Sequence, residues 1–244
     1  MQLQDSKILI TGAAKRIGRA LVLDLASRGA KLFLHCHRSA RDAQKLKAEI
    51  EKKYHHEVFL FQADLSKLPQ LKKMAEEVWK ISRGLDGLIN NASTFYPTKV
   101  GKLREAQWED LFAINAKAPY FLSETLGLKM KKRGRGKIIN IADWAALRPY
   151  ADYIPYSASK SALLAITQGM AKALAPAVQV NAILPGTILW PEGFDAKLQK
   201  DFLAKTPLKR IGNSEEMASA VRFFIENDFA TGSFLHLDGG RHLV

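Results

Sequence analysis

The most chemically specific side chains in the sequence are Tyr156 and Lys160, which are four residues apart. On a helix this spacing places both side chains on one face. A lysine beside a tyrosine hydroxyl favours the phenolate, so it lowers a pKa that normally lies at about 10. The pair therefore predicts a tyrosine that can act as a general acid in a reduction. Because the spacing is common by chance, this interpretation depends on the rest of the sequence.

Residues 8–18 form a second informative segment, in which a predicted strand is followed by a loop and the start of a helix. Gly12 permits a tight turn, and Gly18 lets the helix pack near the strand, so that the helix N-terminus can meet a pyrophosphate. Lys15 and Arg16 add positive charge to the same loop. The usual dinucleotide fingerprint has a glycine at position 16, so a purely structural turn is the alternative interpretation.

The end of the second predicted strand indicates which nicotinamide cofactor such a loop would bind. Enzymes that use NAD usually carry Asp or Glu there, to hold the ribose 2′-hydroxyl. This sequence has His37, Arg38 and Ser39 instead. A guanidinium and a hydroxyl suit a 2′-phosphate, so the expected cofactor is NADPH. The alternative is that Arg38 only caps a strand end.

Two further strand ends carry polar side chains that can contact a dinucleotide. Asp64 can accept a hydrogen bond from the adenine amino group, or cap the helix that follows it. Asn90 and Asn91, with Ala92 and Ser93 after them, end the fourth predicted strand. Asparagines at a strand end can hold backbone turns or a ribose, and the sequence leaves both roles open.

Short apolar runs and amphipathic stretches alternate along the chain and must position these residues. The predicted strands are 7–10, 31–36, 58–62, 85–89, 137–141, 178–183 and 234–237. The predicted helices include 17–27, 40–53, 68–82, 108–132, 153–174 and 214–226. Nearly continuous apolar strands are typical of parallel strands covered on both faces. The pattern predicts an α/β fold with one doubly wound parallel sheet (a Rossmann fold) of about seven strands, with helices on both faces and ligands at the strands' carboxyl ends.

The composition excludes several other classes of protein. The 244 residues are 47% apolar, so a single domain spanning 1–244 can bury a sizeable core. No run of about 18 uncharged apolar residues is present, so no membrane span is expected. The polar start lacks the layout of a secretory signal. The single cysteine, Cys36, excludes an intrachain disulfide and fits the cytoplasm; it is expected to be a small buried hydrophobe, and no metal site is expected.

The formal net charge of +13 allows binding either of nucleic acid or of small anions. The positive residues are spread over helical segments, with the densest group at 129–135. No helix-turn-helix, zinc-finger or RNA-binding motif accompanies them. Solvated surface lysines are the preferred interpretation, and no nucleic-acid partner is expected.

Together the motifs resemble those of the short-chain dehydrogenases/reductases over essentially the whole chain. The matching positions are Thr11 and Gly12 with Gly18, Asn90 to Ala92, Asn115, Tyr156 with Lys160, and Pro185 with Gly186. The resemblance implies that Tyr156 is the acid, that Lys160 lowers its pKa and binds the nicotinamide ribose, and that Asn115 holds a helix kink and a water relaying protons to Lys160. The implied cofactor-binding positions are Gly12, Lys15, Arg16, Ile17, His37, Arg38, Ser39, Asp64, Leu65, Asn91, Ala92, Ser93, Tyr156, Lys160, Pro185, Gly186 and Thr187.

One departure from the family pattern concerns the substrate. Most members carry a serine thirteen positions before the tyrosine, whereas this chain has Asp143. A serine can donate a hydrogen bond to a carbonyl oxygen, but an ionised aspartate only accepts and repels a developing oxyanion. A ring nitrogen that gains a proton is a better match for the carboxylate.

This departure resembles the pteridine reductases, and residues 11–18, 35–39 and 90–97 agree with them. The tail at 238–243 is similar to that of the bacterial dihydromonapterin reductases. In this subgroup the pterin stacks between nicotinamide and a phenylalanine, which corresponds to Phe95. The expected catalytic residues are Asp143, Tyr156, Lys160 and Asn115. The expected substrate-binding residues are Arg16, Ser93, Phe95, Asp143, Tyr156 and Trp190.

The least regular part of the sequence, about 188–209, is expected to be a substrate loop. Trp190, Pro191 and Phe194 can wall a flat ring there, or simply pin a surface loop. The expected activity is NADPH-dependent reduction of a pterin or folate-like substrate. The alternatives are a carbonyl reductase acting on a 3-oxoacyl thioester or ketone, and an NADPH-binding regulator or nucleic-acid partner. The resemblance also implies a homotetramer joined through helices 108–132 and 153–174.

Overall fold

Seven parallel strands form one sheet in the computed structural model, which describes residues 1–190 and 195–244. The strand order is β3-β2-β1-β4-β5-β6-β7, and every neighbouring pair is parallel. The strands are β1 (Lys7–Ile10), β2 (Lys31–Cys36), β3 (Val58–Gln62), β4 (Gly87–Asn90), β5 (Gly136–Ile141), β6 (Val178–Pro185) and β7 (Phe234–Leu237). The order reverses between β1 and β4, so the predicted doubly wound fold is confirmed.

Helices cover both faces of this sheet. They are α1 (Arg16–Ser27), α2 (Ala40–Tyr54), α3 (Leu68–Ser82), α4 (Glu105–Phe112), α5 (Ala118–Arg133), α6 (Ile154–Leu174), α7 (Ala196–Ala204) and α8 (Ser214–Glu226). Ile8 and Ile10 share one apolar cluster with α1, α2 and α8, whereas Leu9 belongs to the cluster formed with α3, α5 and α6. Successive strand residues face opposite sides, which explains the nearly continuous apolar runs.

Two elements differ from the sequence-based prediction. The single helix predicted over 108–132 is divided into α4 and α5 by a π-helical turn, Ala113–Lys117. Inside the segment predicted to be irregular, about 188–209, residues Ala196–Ala204 form α7. The other boundaries agree within about two residues, the usual uncertainty of helix and strand ends.

Two features bear on the predictions from composition. Cys36 is buried, and burial raises the pKa of its thiol, as expected of a small hydrophobic residue. Within the described ranges, no helix combines the length and apolar character needed to cross a membrane.

Candidate active site

The central contact of the candidate site joins Tyr156 to Asp143. Tyr156 lies in the first turn of α6, and Asp143 follows β5, where it begins the 3₁₀ turn Trp144–Ala146. The Tyr156 hydroxyl donates a hydrogen bond of 2.7 Å to Oδ2 of Asp143. The other carboxylate oxygen accepts the backbone N–H of Ala145 at 2.8 Å. The structure therefore brings two of the predicted catalytic side chains into direct contact.

Burial governs the protonation of this pair. It raises the pKa of Asp143, although two hydrogen bonds and the charge of Lys160 oppose the change. It also raises the pKa of Tyr156, and the adjacent negative charge of Asp143 raises it further. The expected lowering of the Tyr156 pKa by Lys160 stays a prediction; the charge in contact with the hydroxyl in this structure is that of Asp143, which raises the pKa.

Lys160 lies beneath the tyrosine on the same face of α6, as the spacing predicts. Its Nζ atom donates to the carbonyl oxygen of Ile141 at 2.9 Å and is 5.9 Å from the centroid of the Tyr156 ring. The side chain is fully buried, and this burial lowers the pKa of Lys160 to about 8. Lys160 can therefore exchange a proton near neutral pH.

Asn115 occupies the π-helical turn and is fully buried. Its Nδ2 donates to the carbonyl of Thr94 at 3.0 Å and to Ser159 Oγ at 3.1 Å. Its Oδ1 accepts from Ser93 Oγ at 2.9 Å and from the backbone N–H of Thr94 at 3.0 Å. Asn115 thus joins the loop after β4 to α6, and the helix irregularity agrees with the implied kink. The water relay to Lys160 stays a prediction.

Phe95, to which the resemblance assigns stacking on the pterin, lies beside Tyr156. The two ring centroids are 4.8 Å apart with an edge-to-face angle of 75°. Phe95 also stacks on Tyr153, with centroids 4.6 Å apart and an angle of 8°. Since Phe95 is 44% exposed, part of its surface is available to a flat ligand. Sequence reasoning missed Tyr153, although it lies three residues before Tyr156, about one helical turn.

Arg16 links the glycine loop to the segment after β6. Its Nη2 atom donates to the carbonyl oxygens of Leu189 and Trp190, both at 3.3 Å. The Trp190 ring lies 5.7 Å from the ring of Phe202 in α7. The predicted wall residues Pro191 and Phe194 lie outside the described residues.

The loops after β1 and β4 are tied together at the glycine turn. Gly12 has a φ of +61°, and a Cβ atom there would lie 2.9 Å from Cα of Ala92. A Cβ at Gly18 would lie 2.2 Å from the carbonyl oxygen of Gly12. Asn91 donates to the carbonyls of Thr11 and Gly12 at 2.9 and 3.1 Å. Both glycines are therefore required by close packing, and Asn91 holds backbone turns, which was one of its two expected roles.

The N-terminus of α1 suits an anion. Its N-cap residue, Lys15, makes no capping hydrogen bond, and the first turn contains no acidic residue. The backbone amides and helix dipole there favour a negative ligand. Lys15 itself pairs with Asp42 at 3.1 Å. The chemistry of this end of α1 therefore fits the pyrophosphate of a dinucleotide.

The predicted 2′-phosphate site lies at the end of β2. Arg38 is exposed and forms no ion pair within the described part of the chain, so its guanidinium is available to a phosphate. Beside it, Nε2 of His37 is 4.0 Å from Oδ2 of Asp64. The alternative role of Asp64 as a helix cap is wrong, because α3 begins only at Leu68 and the carboxylate accepts two hydrogen bonds from Ser66 instead.

The residues after β6 reach the same edge of the sheet. Gly186 packs against the residue that follows β7, since a Cβ there would lie 2.8 Å from Cα of Asp238. The carbonyl of Thr187 accepts the backbone N–H of Gly212 at 2.9 Å. Of the other predicted cofactor positions, Pro185 ends β6 and Leu65 follows β3, whereas Ile17 lies in the first turn of α1.

His35 was missed by sequence reasoning, although it follows the apolar run of β2. It is 2% exposed, its Nδ1 accepts the Gly12 N–H at 3.2 Å, and its Nε2 lies 3.0 Å from the carbonyl of Ala63. Since Nδ1 accepts a hydrogen bond it carries no proton, and the carbonyl requires the proton on Nε2, so the ring is neutral. Burial lowers the pKa of His35 to about 4. A neutral imidazole therefore fixes the glycine turn.

We expect the free energy of unfolding to decrease as the pH falls from 6.5 towards 4, because of His35. Above pH 6.5 His35 is neutral in both states; below it the unfolded chain binds the proton first, since the folded pKa is about 4. At pH 4.5 this difference in pKa lowers the free energy of unfolding by about 2–3 kcal/mol. Urea unfolding at pH 7 and 4.5 measures it. His35→Asn should remove most of this pH dependence, whereas His55→Asn, a change at an exposed position, should keep it. If the free energy of unfolding changes equally with pH in wild type and His35→Asn, the assignment is contradicted.

A further group of titratable side chains was also missed. His236, Asp238 and His242 have potential ligand atoms within 4.8 Å of one another. Oδ2 of Asp238 accepts the backbone N–H of His242 and lies 2.8 Å from its Nδ1. The visible role of Asp238 is thus to hold the tail that follows β7.

Comparison with known proteins agrees with this geometry. Dihydromonapterin reductase of Escherichia coli is 32% identical, with 98% of each chain covered. Pteridine reductase 1 of Leishmania tarentolae is 30% identical over 97% of this chain and 96% of its own. The 3-oxoacyl-[acyl-carrier-protein] reductase FabG of Aquifex aeolicus is 29% identical, again with 98% of each chain covered.

Solved structures include FolM alternative dihydrofolate reductase 1 from Brucella canis complexed with NADP, at 34% identity. It has a TM-score of 0.90 and covers 100% of this chain and 97% of its own. The family described as short chain dehydrogenase matches residues 6–199. With the parallel sheet, the glycine turn and the Tyr156–Lys160 pair in place, the chain belongs to the short-chain dehydrogenase/reductase family, and its relatives include dihydromonapterin and pteridine reductases.

Proposed function

We propose that the protein is an NADPH-dependent reductase of a pterin ring, which converts a dihydropterin or dihydrofolate to the tetrahydro form. The observation that carries this proposal is the hydrogen bond of 2.7 Å from Tyr156 to Asp143. A ketone reduced here becomes an oxyanion, which a buried carboxylate repels. A ring nitrogen instead needs a proton, and the pair holds one between two oxygen atoms.

Each of these residues has a separate role in the proposed reaction. The N-terminus of α1 and Arg38 would hold the phosphates of NADPH, which supplies the hydride when bound. Tyr156 is protonated because its pKa is raised, so its hydroxyl can donate a proton to the substrate. Asp143 orients that hydroxyl. Lys160 has a pKa of about 8 and lies 5.9 Å from the centre of the Tyr156 ring, so it would return a proton through the water relay predicted at Asn115. The exposed surface of Phe95 stacks on the flat ring.

The similarity to FabG favours a second candidate, reduction of a 3-oxoacyl thioester. Asp143 argues against it, because that reaction calls for a hydrogen-bond donor at this position. Consumption of NADPH with a dihydropterin, dihydrofolate and a 3-oxoacyl thioester separates the candidates. We expect kcat/KM for a pterin compound to exceed that for the thioester by at least about tenfold, a difference of 1.4 kcal/mol in transition-state binding. A preference for the thioester would overturn the proposal.

Preference for NADPH over NADH gives an independent test of the cofactor. We expect Arg38→Asp to weaken NADPH binding at least about tenfold more than NADH binding, because a charged hydrogen bond to phosphate is lost and a repulsion replaces it. Dissociation constants for both cofactors measure this change. Lys45→Asp, an equal charge change at an exposed position of α2, is the control. Wild-type protein that binds both cofactors equally would contradict the assignment.

The proposal also covers the assembly and setting of the enzyme. Residues 1–244 form a single domain with one active site, and the segment at about 188–209 contacts the substrate. A homotetramer joined through α4, α5 and α6 follows from the family resemblance, and the mass in solution tests it. The single Cys36 supports a cytoplasmic, reducing environment.

A further inference from the structure

Three side chains with metal-ligating atoms converge at the end of the last strand. His236 lies in β7, Asp238 follows the strand directly, and His242 lies in the short 3₁₀ turn Arg241–Leu243. One potential ligand atom of each residue lies within 4.8 Å of those of the other two. Two imidazoles and one carboxylate form a ligand set of the kind that binds zinc and other divalent transition metals.

A turn of two glycines brings the two histidines together. Gly239 and Gly240 have φ values of +63° and +82°, in the left-handed region that glycine adopts without strain. The chain therefore turns back on itself after Asp238. The rings of His236 and His242 lie one over the other, with centroids 4.0 Å apart and planes tilted by 31°. The backbone of the turn thus determines that both imidazoles lie beside the carboxylate.

The carboxylate of Asp238 is held in a fixed position, and its side chain is only 2% exposed. Its Oδ1 accepts the backbone N–H of Gly240 at 3.0 Å, and its Oδ2 accepts that of His242 at 2.8 Å. Oδ2 also lies 2.8 Å from Nδ1 of His242. Neighbouring ligand atoms at about 2.1 Å from a metal ion lie about 3 Å apart, and ligating carboxylates are commonly fixed by further hydrogen bonds. Asp238 and His242 therefore already have the separation of two metal ligands.

His236 has a ring nitrogen that the protein leaves without a hydrogen bond. Its Nδ1 is buried and has no partner in the described part of the chain. Such a buried polar atom is costly, so native structures rarely keep one. Leu235 and Leu237, its neighbours in β7, pack on the apolar cluster of the opposite face, so the strand fixes the side on which His236 projects. An imidazole can be a metal ligand as well as a hydrogen-bonding group, so a metal ion is a suitable partner for this ring.

We propose that His236, Asp238 and His242 bind one divalent transition-metal ion per chain, with zinc as the expected ion. Nitrogen ligands favour zinc, nickel, cobalt and copper, whereas magnesium and calcium prefer oxygen ligands. Ligand atoms of a tetrahedral zinc ion lie about 3.4 Å apart, so this group needs to contract by about 1.4 Å at most. Both imidazoles are partly exposed, so water can complete the coordination. The proposal replaces the expectation from the sequence that no metal is bound.

The position of the site gives the ion a structural role. The turn that carries His242 also carries Arg241, whose guanidinium carbon lies 5.3 Å from the Trp144 ring centroid and 4.9 Å from that of Phe202 in α7. A metal ion that joins His242 to β7 would hold Arg241 between these two rings. Because the ion binds the folded chain, it should stabilise the fold. It takes no part in hydride or proton transfer, so this inference stands apart from the proposed function.

Calorimetric titration of the tag-free full chain with zinc chloride tests the ligands. We expect one zinc ion per chain, and a Kd at least about tenfold higher for His236→Gln and for His242→Gln, since even the outer residues of a metal site contribute about 10–100-fold to affinity. The control is the double variant His55→Gln/His56→Gln, which removes two adjacent histidines after α2 and should bind zinc like the wild type. No zinc binding by the wild type, or loss of binding only in the control, would overturn the proposal.

Thermal unfolding tests the metal preference and the structural role. We expect zinc to raise the Tm of the wild type and magnesium to leave it unchanged, whereas His242→Gln should show no rise with zinc. An equal rise with magnesium would contradict a site with nitrogen ligands. If either histidine variant fails to fold in EDTA, the absorption spectrum of Co²⁺ added to the wild type decides. Bands that differ from those of hydrated Co²⁺ are expected, and an unchanged spectrum would refute the site.

Discussion

Asp143→Asn should lower kcat for a dihydropterin by about 10²–10⁴, the usual contribution of general acid–base assistance. The amide keeps the size of the carboxylate and can still accept from the Tyr156 hydroxyl, but it has neither the charge nor the capacity to take up a proton. Stopped-flow measurement of a single turnover, with NADPH bound in advance, isolates the chemical step. The Kd for NADPH should stay near the wild-type value, because Asp143 lies with Tyr156 and away from Arg38.

Asp143→Ser distinguishes substrate chemistry from damage to the site. It introduces the donor that most members of the family carry, so it should impair pterin reduction and improve reduction of an activated ketone relative to Asp143→Asn. Intact pterin turnover in Asp143→Ser would show that the carboxylate is not used. Asp143 and Tyr156 are in direct contact, so the pH profile of the wild type reports the pair and is not to be assigned to one residue.

Tyr156→Phe should reduce kcat by a factor in the same range of about 10²–10⁴, because the variant retains the ring but loses the hydroxyl that donates the proton. The edge contact with Phe95 survives, so KM for the pterin should change little. Single-turnover kinetics on the same substrate measure the loss. Tyr54→Phe, which removes a hydroxyl from α2, is the matched control.

The double variant Asp143→Asn/Tyr156→Phe gives the coupling between these residues. Because they form one proton-donating unit, we expect it to be scarcely slower than Tyr156→Phe alone. If the fold-reduction in kcat of the double variant equals the product of the two single reductions, the residues act independently. A Tyr156→Phe variant with nearly wild-type kcat would remove the tyrosine from the mechanism altogether.

Features that depend on the local pattern of apolar residues could be predicted from the sequence. Continuous apolar strands predicted a sheet buried on both faces, and the doubly wound topology then placed Asp143 and Tyr156 at one edge. The helical pattern continues through residues 108–132 and gives no sign of the break at Asn115, which only the family resemblance implied as a helix kink. The irregular turn depends on buried hydrogen bonds to Ser159 and Thr94, which are remote in sequence.

Other features required the tertiary structure for a similar reason. The continuous apolar run of β2 indicates that His35 is buried, but not that its Nδ1 faces the Gly12 N–H. Arg241 and Trp144 are almost a hundred positions apart, so no local spacing predicts that they stack. The i, i+4 rule shows that Tyr156 and Lys160 share a helix face, but it does not show that the Asp143 carboxylate contacts the Tyr156 hydroxyl.

The stack of Phe95 on Tyr153 has a consequence for the handedness of the product. One face of the Phe95 ring is covered, with centroids 4.6 Å apart, so a flat ligand can stack only on the opposite face. In the proposed reaction, a ligand stacked on that face would have one of its own faces against Phe95 and the other open to NADPH. We infer that a prochiral ring carbon is attacked from one side only, so the aromatic pair selects a single stereoisomer.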